Sequence, residues 1–181
     1  MKLEKILKQK QADIVKNWFE SVVDTYPPDS AKFLKKQKDM FLNPVGNTTL
    51  ESLEGLFDEL LKGKGMDYGA MMSLIDPIVR IRAIQPIFAA SQAVAFVFLL
   101  KKVIRKLLKK ELSQDRFLSE LLLFESKVDN LSLIAFDKYM ECREKIYQLK
   151  ATEEKNRIYR AFERAGLVAE LPEDGPVLEK I

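Results

Sequence analysis

Apolar side chains recur every three or four residues along most of this chain, which is the spacing of one face of an α-helix. Residues 3–25 form the first such stripe, and Pro27-Pro28 ends it. Ser30 is placed to cap a shorter helix, and Thr48 with Glu51 has the pattern of a capping box before the next stripe. Alternation typical of β-strands is limited to a few residues at a time, so the pattern predicts an all-α fold.

Two prolines divide the next helical stretch, which Asp67 is placed to cap. Pro77 lacks a backbone donor and clashes with the preceding turn, so it predicts either a kink or the start of a new helix. Pro86 repeats the break nine residues later. Arg80 and Arg82 are therefore expected on a short helical piece between two breaks.

The most apolar part of the chain runs from Arg80 to Glu111. Its uninterrupted apolar segment, from Ala93 to Leu100, is far shorter than the roughly 20 residues that a bilayer-spanning helix needs. We therefore predict no transmembrane segment. We expect instead a central core helix that begins near Ile87 or Ser91 and ends at Lys110.

The longest helical pattern begins near residue 114 and continues to about residue 149. It has a heptad-like seam, whose members are Phe117, Leu121, Phe124, Val128 and Leu131. An unbroken helix of this length would be about 54 Å long, whereas a compact domain of this size has a radius of gyration of about 16 Å. The helix must therefore break, protrude or pack against a second chain, and of these we predict the last, with the seam as the interface of a homodimer.

The pattern divides the chain into two parts. Residues 1–150 are predicted to form one helical domain, and residues 151–181 a further helix with a flexible tail. The helical pattern runs from 152 to 165 and stops at Gly166, and two prolines follow in the tail. The N-terminus has no apolar segment of the kind found in signal peptides, so we expect a cytoplasmic protein.

The chain has no histidine and a single cysteine. The absence of histidine removes the commonest general base, zinc ligand and proximal haem ligand. Glu51, Glu54 and Asp58 share a helix face, but this spacing is more typical of a solvated surface than of a metal site. Cys142 lies on the extended seam and is interpreted as a core residue. We accordingly predict no enzymatic activity, no catalytic residues, no metal and no cofactor.

A group of polar residues flanks the apolar centre of the chain, namely Arg80, Arg82, Gln85, Ser91 and Gln92. Buried polar groups need partners, so we interpret this group as a network that fixes the proline break. The alternative is a ligand site in which the arginines hold a carboxylate or phosphate. A related alternative is a small-molecule carrier with a pocket lined by Phe88, Phe96 and Met71.

A basic run lies at the end of the predicted central helix and consists of Lys101, Lys102, Arg105, Lys106, Lys109 and Lys110. Cations at a helix C-terminus are favoured by the backbone dipole, so a solvated face is the simpler interpretation. The alternative is an accessory protein that contacts an anionic membrane surface, or a membrane redox complex, through this run. No aromatic platform or nucleic-acid motif accompanies the charge, so a nucleic-acid partner is not expected.

Three segments of the chain resemble one protein family. They are LEKILKQKQADIVKNWFESVVDTYP, FLNPVGNTT with the helix that follows it, and IVRIRAIQPIFAASQAVAFVFLLKKVIR. Over roughly residues 3–150 the chain resembles the amino-terminal domain of RsbR-type and RsbRD-type co-antagonists of the bacterial stressosome, a non-haem globin-like sensory module.

This resemblance implies a globin-like helical bundle that dimerises and passes a signal to an output element. In the family a STAS, kinase or DNA-binding domain commonly follows through a connecting helix, and the sequence after residue 150 is too short for one of these. By this resemblance the helix predicted at 152–165 is connector-like. We therefore expect a non-enzymatic regulatory domain that acts through a homodimer and an unidentified regulatory protein partner. A small-molecule or lipid ligand is a further expected partner.

Overall fold

The computed structural model describes residues 3–36, 39, 41–62, 67–112 and 117–168. Within these residues the protein is all-helical and ends in one long helix, which confirms the predicted fold class. The helices are α1 (Leu3–Gln9), α2 (Gln11–Val23), α3 (Pro28–Lys36), α4 (Pro44–Leu61), α5 (Tyr68–Ala83), α6 (Ala90–Val94), α7 (Phe96–Leu107) and α8 (Leu118–Arg164). A globin-like arrangement of these helices, which the resemblance implies, stays a prediction.

The chain divides into two compact units, Met1–Arg143 and Glu144–Ile181. The first unit has one main hydrophobic core, to which every helix from α1 to α8 contributes buried side chains except α3. Helix α3 packs instead on a smaller cluster that includes Val23, Ala31 and Leu34. The described part of the second unit consists of the last turns of α8 and the residues up to Val168.

Side-chain caps set the beginnings of two helices in the first unit. The Asn43 side chain accepts a hydrogen bond from Gly46 N at 2.9 Å, and Pro44 occupies the first turn of α4. A Cβ atom at Gly46 would collide with the Asn43 side chain, so glycine is what permits this cap. The capping box predicted at Thr48–Glu51 is therefore wrong, because α4 has already begun. Asp67 caps α5 as predicted, by accepting from Ala70 N at 3.1 Å.

Helix α5 continues through Pro77 to Ala83. Arg80 and Arg82 therefore lie in the last turns of α5, and the prediction of a short separate helix for them is wrong. The proline removes one backbone hydrogen bond, but the turns on either side of it are anchored in the core. Ile75 before the proline is fully buried, and Ile78 after it is 1% exposed.

The central apolar stretch forms two helices where the sequence predicted one. Helix α6 ends at Val94 and α7 begins at Phe96, so Ala95 divides them. Trp18 on α2 is fully buried beside this division, and its Nε1 donates a hydrogen bond to the Phe96 carbonyl at 2.8 Å. The Trp18 side chain thus supplies a hydrogen-bond donor at the point where α6 ends and α7 begins.

Helix α8 extends well beyond the predicted end near residue 149 and includes the segment predicted as a separate connector helix. The helix ends at Arg164, just before Gly166, where the sequence predicted its end. Gly166 has a left-handed backbone with φ of 66°, and its N–H donates to the Glu163 carbonyl at 3.1 Å. Leu167 N donates to the Phe162 carbonyl at 2.9 Å, which completes a Schellman motif. The predicted flexible tail lies mostly after residue 168, outside the described residues.

Replacing Trp18 with Phe tests the bond between α2 and the division of the central helices. We expect Trp18→Phe to lower the free energy of unfolding by about 2 kcal/mol, because a buried hydrogen bond and part of a buried ring are lost together. Urea denaturation followed by circular dichroism measures this. The matched control is Phe41→Ala at a ring that is 94% exposed, and a loss as large as that of Trp18→Phe would contradict the expectation.

Candidate functional site

Arg82 is a cation buried among helices of the first unit, and its side chain is 1% exposed. Its Nε donates to the Ala93 carbonyl at 3.0 Å, and its Nη2 donates to the Gln92 carbonyl at 3.1 Å. These carbonyls belong to the last turn of α6, where backbone C=O groups lack the N–H donors that a further helical turn would provide. Nη2 also lies 3.1 Å from Thr25 Oγ1, just after α2. One guanidinium therefore joins α5, α6 and the end of α2.

Three aromatic rings surround the Arg82 guanidinium. Its central carbon lies 3.9 Å from the Phe88 ring centroid, 5.3 Å from that of Tyr26 and 5.6 Å from that of Phe96. The faces of aromatic rings attract a cation, most strongly where water is excluded. Burial lowers the pKa of Arg82, yet an arginine keeps its proton under any ordinary condition. Burial raises the pKa of Tyr26, and the charge of Arg82 opposes that rise.

The five polar residues predicted as one group are only partly brought together. Gln92 contacts Arg82 through its backbone carbonyl, while its side chain accepts a hydrogen bond from Ala89 N at 3.0 Å. Gln85 is half-buried, and Ser91 is exposed. Arg80 is also exposed and forms an ion pair away from Arg82. The structure therefore places Arg82 alone at the centre of the polar contacts.

The residues that surround Arg82 most closely were absent from the predicted group. Thr25 and Tyr26 precede the Pro27-Pro28 break, and Phe88 follows the Pro86 break. Proximity to these breaks was the only sequence signal available, since residues so far apart in the chain meet only after folding. Phe88, Phe96 and Met71, predicted as the lining of a carrier pocket, are all at most 9% exposed and belong to the core.

A second polar cluster ties α5 to α8 and was missed from the sequence. Lys138 is 7% exposed, and its Nζ lies 2.8 Å from Asp76 Oδ1 and 2.9 Å from Glu141 Oε2. Arg80 Nε donates to Asp76 Oδ2 at 2.6 Å. Burial tends to raise the pKa of Asp76, but the hydrogen bonds from Arg80 and Lys138 outweigh it and hold that pKa below its usual value. Cys142 lies half-buried nearby, and burial raises the pKa of its thiol.

The predicted dimer seam on α8 lies inside the core of the first unit. Its members, none more than 7% exposed, are Phe117, Leu121, Phe124, Val128 and Leu131. These side chains pack against other helices of the same chain, so they offer almost no surface to a partner. The periodicity correctly identified an apolar face of α8, but this face is buried by other helices of the same chain.

The basic run is partly neutralised by carboxylates of α8. Arg105 donates two hydrogen bonds to Glu125, through Nε and Nη2 at 2.7 Å each, and Lys101 Nζ donates to Asp129 at 2.6 Å. The remaining members are the exposed residues Lys102, Lys106, Lys109 and Lys110. Within the described part of the chain, no helix is both long and apolar enough to cross a membrane.

The residues considered for metal binding are not arranged as a metal site. Glu51 and Glu54 are exposed, and Asp58 accepts a hydrogen bond from the Gln11 side chain at 2.7 Å. Over the described ranges, no group of three or more potential ligand side chains is placed to hold a metal ion.

The fold and its buried polar contacts define an all-α domain in which charged side chains tie the helices together. A family model described as the RsbT co-antagonist protein rsbRD N-terminal domain matches residues 12–153, and the chain belongs to this family. The family is a regulatory one related to the stressosome, in agreement with the resemblance seen in the sequence. Neither a curated protein nor a solved structure matches the chain.

The Asp76 cluster gives a prediction about pH. Because the pKa of Asp76 is lowered in the folded protein, its carboxylate stabilises the fold above its unfolded pKa of about 4. This stabilisation disappears as pH falls through the folded pKa. We expect Asp76→Asn to cost about 1–2 kcal/mol near neutral pH, since buried Lys138 loses its partner. The difference from the wild type should shrink steadily below about pH 4.

Urea unfolding at a series of pH values measures this difference. The matched control is Asp137→Asn, which removes an exposed carboxylate from α8 close to Lys138 in sequence. A difference between Asp76→Asn and wild type that stays constant from neutral to acidic pH would contradict the assigned role of Asp76.

Proposed function

We propose that this chain is a non-enzymatic regulatory domain of the cytoplasm that forms a homodimer through α8 and acts on a regulatory protein partner. Membership of the co-antagonist family supports the regulatory part of the proposal. The family description names RsbT as the protein that the co-antagonist opposes. A protein partner is therefore a natural extension of the family description to this chain.

A stripe of exposed apolar side chains on α8 carries the dimer proposal. Its members in the first unit are Leu118, Leu122, Leu133, Phe136 and Met140, each between 46% and 64% exposed. With about 100° of rotation per residue, all five lie within about 60° of one another around the helix axis. They lie beside the face of α8 that is buried in the core, and Asp129, which pairs with Lys101, separates the first two from the other three. Exposed apolar patches of this kind mark interaction surfaces.

The second unit has a similar exposed surface. Ile158 and Phe162 are 52% and 50% exposed and lie four residues apart, on one face of the helix. Almost every described residue between 144 and 167 is exposed, so this part of the helix has little core of its own. A helix without tertiary packing is only marginally stable in water, and a partner that covers it would stabilise it.

A second copy of the chain is the partner that we propose for these surfaces. A two-fold dimer brings the same patch from both copies together, so a self-complementary apolar stripe is sufficient. Regulation would then follow from two packings of α8 whose populations shift when the protein partner binds one of them more tightly. In this proposal the helix is both the contact between copies and the element that changes.

Light scattering over a concentration series tests the dimer. We expect the wild type to have the mass of a dimer, and Leu133→Glu/Phe136→Glu to weaken association by about 100-fold or more, because charges replace two central apolar contacts. Circular dichroism should show that the double variant retains its helicity, since both side chains lie outside the core.

The matched control is Leu123→Glu, which places a charge at a 69% exposed leucine of α8 that lies off the stripe. This control should remain dimeric. A wild type that is monomeric at every concentration would refute the proposed dimer, and dissociation of the control as readily as the double variant would refute the assignment of the interface to the stripe.

A further inference from the structure

Helix α3 has fewer buried side chains than its length would allow. Its two buried residues, Ala31 and Leu34, join Val23 in the small cluster and contribute nothing to the main core. Helix α1 is shorter, with 7 residues against 9, yet it places three buried side chains in the main core. Burial of apolar side chains supplies most of the free energy that holds a helix on a protein, so α3 is held by less of it than its neighbours.

Two clefts border α3. One, of about 510 Å³, is formed with α2 and α4 and includes Phe19 and Leu50. The other, of about 450 Å³, includes Tyr26 and Val45. Leu34 lines both clefts, so α3 is the wall that separates them. A helix bordered by empty volume lacks part of the close packing that fixes an interior helix in place. Movement of α3 away from α2 and α4 would join the two clefts into one groove.

The chain is anchored immediately before α3 and interrupted at its start. Thr25 Oγ1 accepts a hydrogen bond from Arg82 at 3.1 Å, and the Tyr26 ring meets the Phe88 ring edge-on, with 5.1 Å between the centroids. Pro27-Pro28 follows, and neither of its nitrogens can donate a hydrogen bond back to α2. The chain is therefore fixed up to Tyr26, and the two prolines are the place where α3 can turn as a unit.

The Asn43 side chain holds the end of α3. Its Nδ2 donates to the Leu34 carbonyl at 2.9 Å, in the last turn of α3, where carbonyls have no donor within the helix. Its Oδ1 accepts from Gly46 N, so one amide ties the end of α3 to the beginning of α4. Asn43 is 2% exposed, so both bonds are shielded from water. Lys35 also pairs with Asp24, but at the surface, where such a pair contributes little.

We propose that α3 is a lid that opens and closes over the groove between α2 and α4 while the main core stays folded. The structure holds the closed state. Opening breaks the bond from Asn43 to the Leu34 carbonyl and exposes the apolar side chains of Phe19, Val23 and Val45. Segments that open by themselves are those with few buried apolar contacts, as in α3. The exposure of the groove is then set by an equilibrium within one chain and requires no second copy.

Native-state hydrogen exchange of the full chain tests whether α3 opens by itself. We expect the amides of residues 31–35 to be at least about 100-fold less protected than those of Leu56 and Phe57 in α4, which belong to the main core. Leu131→Ala removes a fully buried side chain of α8 and should lower the protection of core amides by about 30-fold or more. The protection of residues 31–35 should stay within about twofold of the wild type, because their opening leaves the core intact.

Asn43→Asp tests the bond that closes the lid. The carboxylate still accepts from Gly46 N but cannot donate to the Leu34 carbonyl, so the protection of residues 31–35 should fall by about tenfold. The matched control, Asn130→Asp, makes the same chemical change at an exposed position of α8 and should leave that protection unchanged.

Three results would each overturn the lid. They are residues 31–35 as protected as the core amides of α4, a loss of their protection in step with the core in Leu131→Ala, and protection that Asn43→Asp leaves unaltered. Exchange at residues 31–35 reports on α3 in a monomer as well as in a dimer. The outcome is therefore separate from that of the proposed dimer.

Discussion

A single buried guanidinium is the contact on which the middle of this protein depends. The central apolar stretch is divided at Ala95 into α6 and α7. Arg82 from α5 donates to the Gln92 and Ala93 carbonyls at the end of α6, and Trp18 from α2 donates to the Phe96 carbonyl at the start of α7. Because both side chains are fully buried, the positions of α2 and α5 relative to the divided helix are fixed by hydrogen bonds whose loss would leave polar groups without partners.

The long helix α8 is attached to the first unit by apolar packing and by charged contacts at several points. Lys127 donates to the carbonyls of Leu60 and Lys62 at the end of α4, where a cation is favoured by the helix dipole. Arg105 on α7 pairs with Glu125 of α8, and Asp76 on α5 pairs with Lys138 of α8. These contacts occupy one side of α8 and leave the apolar stripe beside it exposed. The family to which the chain belongs is regulatory, and in the proposed dimer the exposed stripe is the contact between the two copies.

Much of the fold could be predicted from the sequence because helix formation is controlled by local patterns. The all-α class followed from the spacing of apolar residues, and the end of α8 followed from Gly166, whose positive φ other residues rarely adopt. Local rules failed where packing overrode them. Pro77 was expected to interrupt α5, but the buried residues on both sides keep the helix continuous. The capping box at Thr48–Glu51 was expected to begin a helix, but α4 already begins at Pro44, where the Asn43 side chain accepts from Gly46 N.

The sequence by itself determined that this is a helical protein, that α8 carries an apolar seam, and that Arg82 lies in a region of unusual polarity. It also carried the family pattern that a family model matches over residues 12–153. Only the tertiary structure decided what each pattern contacts. The seam of α8 faces the core of its own chain, and Arg82 meets Thr25, Tyr26 and Phe88, which come from distant parts of the sequence. Periodicity defines a face of a helix, but the partner of that face is chosen by the packing of the whole chain.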